Sequence, residues 1–260
     1  MMRAIKSIVF ASAVGMAVTV NAADLKVAVY SANVPFSYED GKGKLTGYEV
    51  DLINLVAERL GKKVEYSSTP FHMLFSAVQS GRADLAIGTV TITPKRLESI
   101  SFTQPWIDSE LCLTVATKSG IQSLEGLAGK GAAALTGSVG EMWASTNLPK
   151  YKFSEVRRYD GTSEAFLDVA AGRVGGFLHD CPSDAYYIKD KPQYKIVQHI
   201  PTNEQFAPIF RKESSLMAEI NQEITKLKEE GEIDRIHKKW FGESAPDGSS
   251  VKKVSPIPTI

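Results

Sequence analysis

From Gly88 to Arg96 the chain reads Gly-Thr-Val-Thr-Ile-Thr-Pro-Lys-Arg, a run that places hydroxyls ahead of a cation. The preceding Leu85-Ala86-Ile87 is an apolar run of strand length. Thr93 is a good helix N-cap, and Pro94 falls at the first helical position, where its missing N–H is no loss. Arg96 then lies in the first helical turn, where a cation opposes the positive end of the helix dipole by roughly 0.3–1 kcal/mol unless an anion offsets it. Thr89, Thr91, the free N–H groups and the guanidinium of Arg96 converge on one spot suited to a carboxylate, which arginine binds as a bidentate fork. The plainer alternative is a capped surface helix with a solvated Arg96.

Such a site needs a strand that ends beside a helix start, and the chain supplies that arrangement twice. Ala77-Val78-Gln79-Ser80-Gly81-Arg82-Ala83-Asp84-Leu85-Ala86-Ile87-Gly88 resembles the stretch from Val169 to Asp180 in its order of helix end, Gly, Arg and apolar strand. Polar residues follow each strand's carboxyl end, Thr89 and Thr91 in the first copy and Asp180 in the second. Open α/β sheets bind ligands at that end, so two facing half-sites imply a cleft between two lobes. In the second lobe Thr136-Gly137-Ser138 feeds a helix; Ser138 suits a ligand carboxylate or an ordinary N-cap equally well. Earlier, Leu25–Tyr30 alternates as a strand and leads into a loop holding Asn33 and Phe36. The helix opened by Gly47-Tyr48-Glu49 carries Val50, Ile53, Val56, Ala57 and Leu60 on one face. Pro70 starts another helix, with Phe71, Leu74, Phe75 and Val78 in a core-like stripe whose first member lies near the helix entry. Strand and helix alternate, so the sheets are expected to be largely parallel.

Thirty basic and thirty acidic side chains cancel, which argues against a nucleic-acid partner or a polybasic membrane-surface protein. Arg3 and Lys6 precede an apolar run from Ile8 to Val20 and small residues at Asn21-Ala22-Ala23, the pattern of a cleaved secretory signal over residues 1–22. The expected destination is the periplasm. Cys112 and Cys181 could pair in an oxidising compartment or remain two buried thiols. The four histidines show no H-x-x-H or HExxH spacing, so neither a metal nor a cofactor is expected. Residues 244–260, rich in Pro, Ser, Gly and Lys, read as a flexible tail.

Gly47-Tyr48-Glu49-Val50-Asp51-Leu52-Ile53-Asn54-Leu55-Val56-Ala57, Val34-Pro35-Phe36, the block from Thr89 to Arg96, Ile100-Ser101-Phe102-Thr103 and Lys238-Lys239-Trp240-Phe241 together resemble bacterial extracellular solute-binding proteins of family 3. These are the periplasmic amino-acid receptors of ABC importers. The resemblance spans about Leu25 to Gly242. It implies the type II periplasmic-binding-protein fold: lobe 1 from residues 23–108 and 203–243, lobe 2 from 109–202, joined by two hinge strands around the ligand cleft. It also implies a monomer that hands a polar L-amino acid, or a derivative of one, to a membrane permease. By the same resemblance, Arg96 holds the ligand α-carboxylate, Thr89 and Thr91 bind the carboxylate and ammonium, and Asp180 takes the ammonium. Asn33 stands where relatives commonly have a covering aromatic, and Tyr30 where binders of cationic amino acids often have aspartate. Phe36, Phe71 and Trp106 are left either to line an apolar wall or to pack in the core. The rival reading is an enzyme resembling cyclohexadienyl dehydratase, which would need a positioned acid or base; His179 and Asp180, adjacent on a strand, should point to opposite faces.

Overall fold

The structure, a computed structural model, describes residues 25–260. The signal segment read at 1–22 lies outside the described residues. Two five-stranded sheets organise the chain. In the first lobe the order is Val64–Ser68, Leu25–Val29, Leu85–Ile87, Ile209–Arg211, Ile100–Phe102. In the second it is Glu155–Tyr159, Gly131–Leu135, Gly176–Asp180, Ile107–Ala116, Tyr194–Phe206. The sheets are mixed rather than largely parallel. Helical crossovers keep the first three strands of each parallel, but strands that return from or cross to the other lobe enter antiparallel.

Each sheet is covered on both faces, and the period-2 alternation of its strands decides which residue serves which face. Val27 and Val29 join Tyr48, Leu52, Ile53, Val56, Ile220, Ile224 and Ile233 in one core. Ala28 and Tyr30 join Phe71, Leu74, Val78 and Ala86 in the other. The second lobe repeats the division: Ala132 and Leu178 face one core, Ala133 and Phe177 the other. Helix Tyr48–Arg59 can approach the loop before it only because its cap is glycine: Gly47 has φ 141°, and a Cβ there would lie 2.1 Å from the carbonyl oxygen of Phe36.

Two long antiparallel strands, Ile107–Ala116 and Tyr194–Phe206, run between the lobes. Their register shifts between Ile200 and Glu204, next to Asn203 with φ 49°. Past that shift Thr91 bridges Phe206 in the first lobe, and the Trp106 N–H donates to the Phe206 carbonyl at 3.0 Å. The segment after Gly242 is not the loose tail that its composition suggested. Ala245 and Val251 are buried in the first core, and the Ser250 N–H donates to Asp108 Oδ2 at 2.7 Å. Lys228 Nζ donates to the carbonyl of Lys253 at 2.9 Å. Two small apolar anchors and these polar ties hold a stretch whose average composition resembles a linker.

Candidate functional site

The strand Leu85–Ile87 ends at Gly88, whose φ of 151° and close approach to Tyr30 exclude a side chain; a Cβ there would lie 2.7 Å from the Tyr30 Cβ. Thr89 follows at φ 53°, an unusual conformation for a β-branched residue that costs on the order of 1–3 kcal/mol. Its neighbours hold it there. The Thr89 N–H donates to both carboxylate oxygens of Glu49 at 3.0 and 3.2 Å, and Thr89 Oγ1 accepts from Asn33 Nδ2 at 3.0 Å. Thr93 caps helix Pro94–Leu97 by accepting the Arg96 N–H at 3.2 Å, with Pro94 in the first turn.

Arg96 is no solvated surface cation; it is 8% exposed. Nη1 donates to the Thr91 carbonyl at 2.8 Å and Nη2 crosses to the Gly137 carbonyl of the second lobe at 3.1 Å. The guanidinium carbon stands 5.0 Å from the Phe75 ring centre and 5.7 Å from that of Phe71. Among the described residues no carboxylate comes within 4.0 Å of it. Burial therefore lowers its pKa to about 10, against the opposing pull of Glu204 and Asp180. This is a desolvated cation met only by dipoles and rings.

The second half-site is built differently. Asp180 ends the strand Gly176–Asp180 and is only partly buried. Burial raises its carboxyl above the ordinary range, while His179, Thr89 and Arg96 favour the ionised form. Behind it His179 Nδ1 meets Asp184 at 2.8 Å, Asp184 also accepts from Thr114, and the imidazole stacks on Phe177 at 4.7 Å. Burial opposes the imidazolium of His179, but Asp180 and Asp184 outweigh it and raise the pKa. Phe177 and His179 share one face of the strand, as alternation requires.

The other sequence candidates divide. Thr91 joins the cluster by donating from Oγ1 to Glu204 Oε2 at 3.1 Å, and Asn33 supports Thr89. Phe71 lies beneath Arg96, edge-on to Tyr30 at 5.9 Å. Ser138 accepts the Glu141 N–H at 3.1 Å and so caps helix Val139–Tyr151; its neighbour Gly137 is what meets Arg96. Phe36 is a correction. It is 0% exposed and packs edge-on against Tyr48 and Phe206 in the core, where a large apolar ring buries more surface than in a polar cleft.

Sequence reasoning missed two carboxylates. Glu49, in the first turn of helix Tyr48–Arg59, is fully buried, and burial pushes its pKa up to about 8 against the hydrogen bond from Thr89. Glu204 lies on the crossing strand in Thr-Asn-Glu-Gln, a run with no motif. It is 3% exposed, accepts from Thr91 Oγ1 and from Thr202 Oγ1 at 2.9 Å, and burial and Asp180 raise its pKa to about 7. The lobes touch around this cluster, through Arg96 with Gly137 and Thr162 Oγ1 with the Ala32 carbonyl at 2.7 Å. A cavity of about 290 Å³ opens beside Arg96, lined by His72, Phe75 and Met142 among others. A larger one of about 510 Å³, between Lys130 and Arg173, lies on the second lobe alone and brings together none of these groups.

Residues 25–243 match the family described as bacterial extracellular solute-binding proteins, family 3. The arginine-binding extracellular protein ArtP of Bacillus subtilis is 27% identical over 80% of this chain and 82% of its own length. The amino-acid-binding protein AabA of Dichelobacter nodosus is 30% identical over 82% of this chain and 85% of its own. Among solved structures, the arginine-, lysine-, histidine-binding protein ArtJ of Geobacillus stearothermophilus superimposes with a TM-score of 0.80 at 26% identity, covering 89% of this chain and all of that one. A family match over most of the chain, a shared two-lobed fold and the facing half-sites agree: the chain belongs to family 3 of the bacterial extracellular solute-binding proteins, with the type II periplasmic-binding-protein fold.

Proposed function

We propose that this chain is a periplasmic receptor that closes its two lobes over a polar L-α-amino acid, or a close derivative, and presents the closed form to the membrane permease of an ABC importer. The observation that carries the reading is the Arg96 guanidinium, buried without a carboxylate partner among the described residues and facing the lobe that bears Asp180. A zwitterion complements that pair: its carboxylate replaces carbonyl dipoles as the counter-charge of Arg96, and its ammonium offsets Asp180. Thr89 and Thr91 add hydroxyls to the same spot, and Phe71 with Tyr30 forms the adjoining apolar wall. Closure excludes the water that would screen these contacts, so binding and closure are one event. The relatives named for arginine, lysine and histidine support an amino acid as the ligand class. Tyr30 stands where binders of cationic amino acids often have aspartate, and Tyr30 and Asn33 bring no negative charge to the site, which favours a polar over a strongly cationic side chain. The receptor acts as a monomer and needs no cofactor.

A thermal-shift screen of the common amino acids, opines and simple sugars tests the reading. A ligand that binds only the folded chain adds about 2.7 kcal/mol at one hundred times its dissociation constant. An amino acid is expected to raise the midpoint; a response to sugars alone would remove the clamp. Glu204 favours a second reading, in which the cleft performs an elimination like that of cyclohexadienyl dehydratase. A carboxyl held near 7 inside a cleft has the protonation behaviour of a general acid. Incubation with prephenate or arogenate separates the two, since the receptor returns either compound unchanged.

A further inference from the structure

We propose that the second lobe carries a zinc-type metal site, built from Cys112, Cys181, His199 and Glu110, that becomes available when its disulfide is reduced. Spacing along the chain gives no hint of it, and Cys112 and Cys181 are bonded to each other 69 residues apart. Sheet register assembles the donors. Glu110 and Cys112 lie two residues apart on the strand Ile107–Ala116 and so share a face. His199 is directly opposite Cys112 on the neighbouring strand. Cys181 begins the helix that leaves the strand on the other side, where His179 is opposite Cys112.

Three donor atoms, from Cys112, Cys181 and His199, lie within 4.8 Å of one another, and Glu110 reaches two of the three residues as a fourth donor beside them. Metal–ligand bonds of about 2.0–2.3 Å in a tetrahedron set donor-to-donor edges of about 3.3–3.8 Å. His199 Nδ1 stands 3.5 Å from Cys181 Sγ and 3.8 Å from Cys112 Sγ, and Cys181 Sγ stands 3.9 Å from Glu110 Oε1. Two edges must open, the sulfur–sulfur bond and the 2.6 Å contact between His199 Nδ1 and Glu110 Oε1, and the Glu110 carboxylate must swing toward Cys112 to complete the shell. The His199–Glu110 contact opens easily, because those side chains are 62% and 35% exposed and free of close packing on their solvent side. Both sulfurs are buried, so the shell is open to solvent only on the imidazole and carboxylate side, the path by which an ion enters.

The chemistry selects the ion. Two thiolates, an imidazole and a carboxylate suit a borderline-soft divalent cation that takes four ligands, and exclude magnesium or calcium as the preferred guest. Zinc also has no redox chemistry with which to reoxidise the thiolates. The reductant is a dithiol: its thiolate attacks one sulfur of the disulfide, the mixed disulfide resolves, two protein thiols form and the dithiol leaves as its cyclic disulfide. Zinc then displaces two thiol protons. The same two sulfurs thus serve either a covalent bond or a metal. Because Cys181 directly follows Asp180, the exchange occurs one residue from the ligand clamp. The proposal does not depend on what the cleft binds.

The test uses the full chain, reduced with a dithiol, freed of it without air, and titrated with zinc against a chromophoric chelator. One equivalent is expected to bind the reduced chain and none the disulfide form. Cobalt(II) in its place is expected to give the thiolate-to-metal absorption of a tetrahedral site. Cys112→Ser with Cys181→Ser should abolish binding. His199→Ala and Glu110→Gln, both of which keep the disulfide and can be checked for folding in the oxidised state, should each weaken it at least tenfold. No zinc on the reduced chain overturns the site, as does undiminished binding in the double serine variant. Equal affinity in both His199→Ala and Glu110→Gln would mean a two-thiol contact rather than the shell proposed. If reduction alone unfolds the lobe, zinc present during reduction should preserve its circular dichroism by mass action; loss of structure in its presence also overturns the proposal.

Discussion

The two half-sites of the cleft carry opposite charges and are built on opposite plans. In the first lobe the charge is buried and immobilised. Arg96 sits on a capped turn, its guanidinium holds two backbone carbonyls, and the strained Thr89 beside it is kept in place by Glu49 and Asn33. In the second lobe Asp180 is partly exposed at a strand end, and fixed support lies behind it, in the His179–Asp184 contact and the disulfide at Cys181. The difference follows from what each ion can tolerate. A guanidinium stays charged through most burial and can be packed rigidly, whereas a carboxylate responds to burial by taking up a proton. On the proposed reading, the rigid member would set the ligand's position, and the adjustable one, with Glu204, would set how binding responds to pH.

Removing the rigid member should have the largest effect. Arg96→Ala is expected to weaken ligand binding by about 30- to 4,000-fold, from roughly 2–5 kcal/mol for truncating one partner of an enclosed charge pair. Calorimetry measures this directly, and circular dichroism should show the fold intact. Unchanged affinity would break the contrast, making Arg96 a packing group alone. Asp180→Asn keeps the shape and loses the charge. Its expected effect is smaller, about 10- to 150-fold, taking roughly 1.5–3 kcal/mol for a hydrogen bond to a charged group. A larger loss than for Arg96→Ala would reverse the assignment of rigid and adjustable members.

The pH response sharpens the same contrast. Glu204, with Asp180 and Arg96 facing it across the cluster, holds its proton up to about 7, while the unfolded chain releases it near 4.5. The folded chain thus binds more protons in that window, so this group's contribution to stability is full below pH 4.5 and is lost as pH rises to about 7. Thermal midpoints of the ligand-free protein should fall less across that window in Glu204→Gln. Ligand affinity should move the other way, strengthening toward pH 7, because the ammonium competes with the protons on Asp180 and Glu204. A flat affinity profile from pH 5 to 7 would remove both carboxylates from the binding event.

The smallest effect separates site from scaffold. Ser138→Ala should lower stability by about 0.5–2 kcal/mol through the lost cap, with ligand affinity unchanged. A drop in affinity comparable to that of Asp180→Asn would return Ser138 to the ligand.

Local patterns made much of this legible. Thr93-Pro94 announced a capped turn and placed Arg96 at its start, and the Gly-Arg-strand repeat pointed to Asp180 in a second lobe. Both signals survive because capping and strand alternation depend on near neighbours in the chain. Phe36 escaped the reading because a loop aromatic has no periodicity to tell inside from outside, and only the fold packs its ring against Tyr48 and Phe206. Glu204 left no local trace: nothing in Thr-Asn-Glu-Gln says that the crossing strand buries that carboxylate against Thr91, 113 residues away. Composition failed for the C-terminal segment for a similar reason, since two buried side chains and a tie to Asp108 hold it against the first lobe.

The sequence by itself determined the family, the alternation of strand and helix, the strand-to-helix turn that carries Arg96 and the strand end that carries Asp180, because each is written in spacings of a few residues. Tertiary structure alone decided that Arg96 is desolvated with no carboxylate partner among the described residues, that Glu49 and Glu204 stand beside it, that Cys112 and Cys181 are bonded, and that His199 and Glu110 stand beside them. Those outcomes depend on how much water a group loses and on which distant strands come into register, and neither quantity exists until the chain has folded.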